Sequence, residues 1–209
     1  MKKIISLLLC LLIICAAAPI SLAEATPAFT VTEYKSEESE AFLWDSLSKY
    51  SPSKELTAAI LGFFWRESLF RSDAVANWSN INITDQDVCI EFTSIIDEGL
   101  KDGSTKEYFI QQSQNYGGYG LGQWYSELYL NAFYDFAQNW GTSIADAEMQ
   151  CAFTVWSIKN QQLKYSEILD DYSNLYINCM WMGFIYDGSS TAADTIYAKA
   201  IEFHKKNAE

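Results

Sequence analysis

The segment Phe63-Phe64-Trp65-Arg66-Glu67-Ser68 sets one carboxylate at the end of an almost wholly apolar helical pattern. Counting back from Glu67 by three, four, seven and eleven reaches Phe64, Phe63, Ile60 and Leu56, so the acid belongs to the buried stripe. Burial disfavours a charged carboxylate, and the negative end of the helix dipole does so again. Both effects push its pKa upward, towards what a proton donor working near neutrality needs. The same spacing also suits an ordinary glutamate leaving the core, satisfied by Arg66 or a backbone donor. A second segment, Asn115-Tyr116-Gly117-Gly118-Tyr119-Gly120-Leu121-Gly122-Gln123-Trp124, combines four glycines with flat aromatic faces and an amide that both donates and accepts. Those are the groups a sugar demands, although a tight turn whose aromatics plug the core would use them too. The stretch lacks the GxxxxGKS ending of a phosphate cradle.

The chain has a single histidine, His204, which removes most hydrolytic machinery that relies on imidazole, and multi-histidine zinc sites with it. His204 sits beside Lys205 and Lys206 near the end of the last helical pattern, where a cation is ordinary. No cofactor and no metal are expected. Carboxylate chemistry without either points towards glycosidic bonds. The formal charge is −13, or −15 once Lys2 and Lys3 are removed with a leader, so binding to a nucleic-acid backbone is not expected.

Residues 1–23 combine two lysines, an apolar run from Ile4 to Ala18 and small residues up to Ala23, the pattern of a cleaved secretory signal. The run is too short to span a bilayer, so an exported protein, extracellular or wall-associated and without stable membrane insertion, is expected. Cys89, Cys151 and Cys179 then allow at most one intramolecular bridge, and the helical stripes suit Cys151 and Cys179 as small packed hydrophobes. Asn77-Trp78-Ser79 and Asn82-Ile83-Thr84 match glycosylation triplets, a short pattern common by chance.

Several helices must position the two chemical segments. Residues 24–50, rich in Ser, Thr and Glu, are expected to form an extended leader that docks only near Phe42 to Leu47. A compact unit over 51–206 begins with Ser51 as N-cap and Pro52 at the first helical position, leaving 207–209 as a tail. Thr84 with Asp87 caps a helix bearing Val88, Phe92 and Ile95, which Gly99 and Gly103 end. A helix with Tyr129, Phe133, Phe136 and Trp140 closes at Gly141, and Ser143 with Asp146 opens another through Cys151, Val155 and Ile158. Apolar positions Leu175, Cys179, Met182 and Ile185 mark a further helix, and Thr191 with Asp194 caps the last.

Together AAILGFFWRESLFRSDAV (58–75), GYGLGQW (118–124) and YAKAI (197–201) resemble the phage-tail lysozyme family of the lysozyme-like superfamily, over most of Ser51 to Lys206. The resemblance implies a mainly α, α+β lysozyme-like fold: one helical domain with a small irregular or β lobe around a glycan groove. It implies Glu67 as catalytic acid, Tyr119, Gly120, Gln123 and Trp124 as substrate-binding residues, and peptidoglycan glycan strands as the partner. Leu69 stands where the family has glycine, and Arg71-Ser72 replaces Asn-Pro. Residues 77 to 115 form a long, partly helical segment.

On this reading Glu67 protonates the oxygen of a β-1,4 bond between N-acetylmuramic acid and N-acetylglucosamine. An inverting hydrolase needs a second carboxylate about 6.5 to 9.5 Å away. A lytic transglycosylase needs none, because the substrate's 6-hydroxyl attacks. Asp73, Asp85, Asp87, Asp102 and Glu107 are the local carboxylates; Asp73 suits a turn cap and Asp87 a helix cap, so none is assigned. Two other classes stay open: a glycan-binding relative without cleavage, and a secreted structural or interaction protein.

Overall fold

The computed structural model describes residues 29–31, 36–75, 86–162, 172–184 and 190–207. Eight helices follow in order among them: α1 (Glu37–Tyr50), α2 (Lys54–Ser68), α3 (Gln86–Leu100), α4 (Lys106–Tyr116), α5 (Glu127–Trp140), α6 (Ala147–Gln162), α7 (Leu175–Met182) and α8 (Ser190–Asn207). The architecture is mainly α. The β part of the expected small lobe does not appear among the described residues, where pairing is limited to two isolated bridges, Val75 with Tyr119 and Tyr119 with Trp124. Among the described residues no helix is long and apolar enough to cross a membrane. The secretory signal, the glycosylation triplets, Thr84 and Asp85 lie outside the described residues.

Residues 37–50 correct the expectation of an extended leader. Ser36 accepts from the Ser39 amide at 3.0 Å and starts α1, whose Leu43 and Leu47 are fully buried. A serine- and glutamate-rich composition concealed a helix whose three early acids complement its positive end. Because α1 runs to Tyr50, the Ser51 amide closes it by donating to Leu47 O. The next helix therefore starts later than expected. Ser53, not Ser51, accepts from the Leu56 amide at 3.0 Å as its N-cap.

Helix α2 packs on α7 and α8, and α1 bridges α2 and α6. A second group, α3 to α5, joins this bundle through α6. An aromatic seam runs between them: Phe92 and Phe109 ring centroids lie 6.2 Å apart, Phe109 and Phe133 5.9 Å, and Phe133 and Phe153 5.0 Å. Such ring pairs contribute about 0.5–1.5 kcal/mol each beyond their buried area. Asp146 caps α6, accepting from the Glu148 and Met149 amides. Cys89, Cys151 and Cys179 are buried and no disulfide joins them.

Candidate active site

Helix α2 delivers Glu67. Leu56, Ile60, Phe63 and Phe64 are all buried, so the helix is clamped along the stripe that ends at the carboxylate. It terminates at Leu69 and Phe70, both left-handed with φ of 53° and 75°. That conformation costs an L residue roughly 1–2 kcal/mol, so surrounding contacts must hold it. They include Ser68 Oγ donating to Phe64 O at 3.1 Å and the Arg71 amide donating to Ser68 O at 3.1 Å. The Glu67 side chain is 20% exposed and accepts from Arg66 Nη1, whose own side chain is 28% exposed.

The turn after α2 is anchored below. Arg71 and Asp73 form a two-pronged pair, Nε to Oδ1 and Nη2 to Oδ2 both at 3.0 Å, with both side chains almost wholly buried. Asp73 thus answers a guanidinium instead of capping the turn. From the amino-terminal side, Val31 exchanges bonds with Ser72: its amide donates to Ser72 Oγ at 2.8 Å and its carbonyl accepts from the Ser72 amide at 2.9 Å.

The glycine-rich stretch lies against this turn. The Gly120 amide donates to Ala74 O at 2.8 Å, and Gln123 Nε2 donates to Ala74 O at 3.1 Å and Gly120 O at 2.7 Å. Gly122 slots between two rings, where a Cβ would stand 2.7 Å from the Trp124 indole and 3.1 Å from Phe63 Cε1. Phe63 is one helical turn before Glu67 on the same face. The two chemical segments therefore meet at the Phe63 ring, one turn before the carboxylate.

Three of the expected sugar-binding side chains point inward. Tyr119 is fully buried, its hydroxyl 2.8 Å from Thr93 Oγ1, and burial pushes its phenol well above the usual range. Trp124 is 2% exposed, stacked on Phe133 at 4.8 Å and edge-on to Phe153 at 5.3 Å. Its indole Nε1 has no hydrogen-bond partner among the described residues. Gln123 is 7% exposed. Tyr125, the next residue, is exposed.

Sequence reasoning missed Gln150. Fully buried in α6, its Nε2 donates to Ser72 O at 2.8 Å and Ile144 O at 2.9 Å, while its Oε1 accepts from the Leu121 amide at 2.8 Å. One side chain thus ties the turn after Glu67, the α5–α6 connection and the glycine loop. The available signal was a glutamine on the buried side of an otherwise apolar helix pattern, which spacing alone does not separate from a boundary position.

A separate cleft of about 550 Å³ lies beside α3, with Asp73, Thr93, Ser94, Asp97, Glu98 and Ser143 in its wall and Glu67 outside it. Burial holds the Asp97 carboxyl above its usual range, against the bond it accepts from the Ile144 amide at 2.8 Å. Of the remaining local carboxylates, Asp87 and Glu107 are exposed. Asp102 accepts from the Ser104 amide at 2.9 Å, and the Ser104 bonds hold its carboxyl below the usual range. His204 faces Glu55 at 3.3 Å. Glu55 lies in the first turn of α2, and twelve residues at the helical rise put it about 18 Å from Glu67 along the axis. Among the described residues no group of three His, Cys, Asp or Glu side chains could hold a metal ion.

A family model described as phage tail lysozyme matches residues 38–200, from the first turn of α1 into α8. Comparison with curated proteins and with solved structures gives no match.

Proposed function

The chain belongs to the phage tail lysozyme family, and on that premise we propose that it is an exported glycosidase that cuts peptidoglycan strands at the β-1,4 bond between N-acetylmuramic acid and N-acetylglucosamine. Glu67 is the general acid. The observation that carries this reading is the seating of the glycine loop, through Gly122, on the helix face one turn from a partly buried carboxylate. Glu67 donates its proton to the glycosidic oxygen as positive charge develops on the sugar ring. Tyr119, Gly120, Gln123 and Trp124 then serve the substrate by shape: their inward bonds and ring contacts fix the loop whose outer backbone meets the sugar.

Both Asp73 oxygens are taken by Arg71, and no second catalytic carboxylate is assigned. The products distinguish the two fates of the protonated bond. Purified protein incubated with peptidoglycan should release new reducing ends if water attacks, or 1,6-anhydro ends if the substrate's 6-hydroxyl does. Glu67→Gln is expected to lower turnover at least about a hundredfold, the range for loss of general acid catalysis, with an unchanged melting transition. Turnover in that variant equal to the parent would remove the assignment. A glycan-binding role without cleavage is the second reading, favoured by the Arg66 guanidinium held against the carboxylate. Binding without either kind of new end would establish it.

A further inference from the structure

We propose that Arg66 reads a carboxylate on the substrate, and that its departure from Glu67 to that carboxylate makes Glu67 available as a proton donor. The proposal rests on the preceding assignment of Glu67 and adds the chemical class of group that the site recognises beyond the sugar. Arg66 and Glu67 are successive residues in the last turn of α2, with Arg66 Nη1 donating to Glu67 Oε1. A guanidinium on a carboxylate favours its charged form, whereas a general acid must carry a proton when substrate arrives. The pair as it stands is a resting arrangement, and something must compete for the guanidinium.

Three observations point to an anionic competitor. Arg66 and Glu67 are 28% and 20% exposed, so an incoming group can reach both. The planar fork of an arginine matches a second carboxylate as well as the first, so exchange of partner needs no unpaired intermediate. The other two cations placed near this end of α2 are bonded to groups other than Glu67. Arg71 is buried and held by both oxygens of Asp73. Lys199 lies over the Trp65 ring at 4.8 Å and is bonded to Glu202 Oε2 at 2.6 Å. In a chain of net charge −13, Arg66 is the cation in contact with the candidate acid itself, and so the one placed to sense an acidic substrate there. Peptide-bearing glycan strands carry carboxylates on the peptides joined to the muramic lactyl group. Docked near Arg66, such a carboxylate draws the guanidinium away and also disfavours negative charge on Glu67. Both effects load the proton that the glycosidic oxygen receives.

The test compares peptide-bearing glycan strands with the same strands after their carboxyls are converted to methylamides, at physiological ionic strength. For the parent protein, kcat/KM is expected to fall about tenfold on amidation, equivalent to roughly 1.4 kcal/mol. Arg66→Met should cut the two substrates with a ratio near one, and Arg66→Lys should retain part of the preference because it keeps the charge. Circular dichroism confirms that each variant is folded, and the parent's own response to amidation stands if one is not. A parent indifferent to amidation, or an Arg66→Met protein that keeps the full preference, overturns the proposal. If the parent cuts neither substrate, the glycosidase reading falls and this one with it; if Glu67→Gln cuts both normally, the assignment of Glu67 falls and takes this proposal with it. Cleavage of both by the parent and of neither by Glu67→Gln leaves that reading intact and tests Arg66 alone.

Discussion

Gln150 makes three hydrogen bonds from a fully buried position, and all three reach backbone groups of buried residues. Gln150→Leu keeps most of the volume but strands the Leu121 N–H and the carbonyls of Ser72 and Ile144. Each unsatisfied buried group costs about 1–3 kcal/mol, so a total loss of at least about 3 kcal/mol is expected from urea denaturation midpoints. Asp97 contributes with the opposite sign at neutral pH. Its carboxyl is raised by burial, so the folded chain holds that proton more tightly than the unfolded chain. Stability from this group is complete below the unfolded value of about 3.9 and is lost as pH rises towards the folded value. Asp97→Asn keeps an acceptor for the Ile144 amide without the charge. It should flatten the fall in urea midpoint between pH 4 and pH 7, and an unchanged slope would show that Asp97 is solvated in the folded protein.

Helix α2 is where placement depends on a neighbour. Gly62 lies against α8, where a Cβ would stand 2.7 Å from Ile196 O and 3.2 Å from the Ala200 amide. In an isolated helix Gly62→Ala would add about 1 kcal/mol of stability. Here it pushes α2 off the backbone of α8, and overpacking of that kind costs about 1–3 kcal/mol. A lower melting temperature with reduced turnover is expected, because the same helix carries Glu67. Part of this scaffold was legible from local signals: the α5 stripe and its Gly141 stop and the Leu175, Cys179 and Met182 positions of α7 fall where capping and periodicity put them. By contrast, α6 opens at Asp146, three residues after the expected Ser143 cap, and Ile185 lies outside the described residues. Helix α1 was hidden because polar residues dominate its composition, although Leu43, Trp44 and Leu47 are buried and Phe42 and Tyr50 pack beside them. The glycine loop was legible as a special backbone, but not the direction of its side chains. Which way Tyr119 and Trp124 turn depends on Phe92, Phe109, Phe133 and Phe153, which come from four other helices.

The whole molecule carries a net charge of −13, and the proposed substrate is an anionic polymer. Their long-range repulsion acts over a screening length of about 30 Å at 0.01 M salt and about 8 Å at 0.15 M. Activity on intact peptidoglycan should therefore rise with ionic strength over that range, mainly through KM, while methylamidated strands respond less. A falling profile would mean that local attraction outweighs the global field. The three buried thiols carry a different consequence. Cys89, Cys151 and Cys179 sit on α3, α6 and α7, and burial raises all three, Cys179 to about 12. Alkylating reagents attack the thiolate, so each sulfur reacts only when its own helix swings open. Maleimide incorporation, tracked at each cysteine by mass spectrometry of proteolytic peptides, then acts as three separate clocks. Equal rates would mean that the bundle parts all at once, and an early Cys179 would mean that α7 peels away while α3 and α6 still hold.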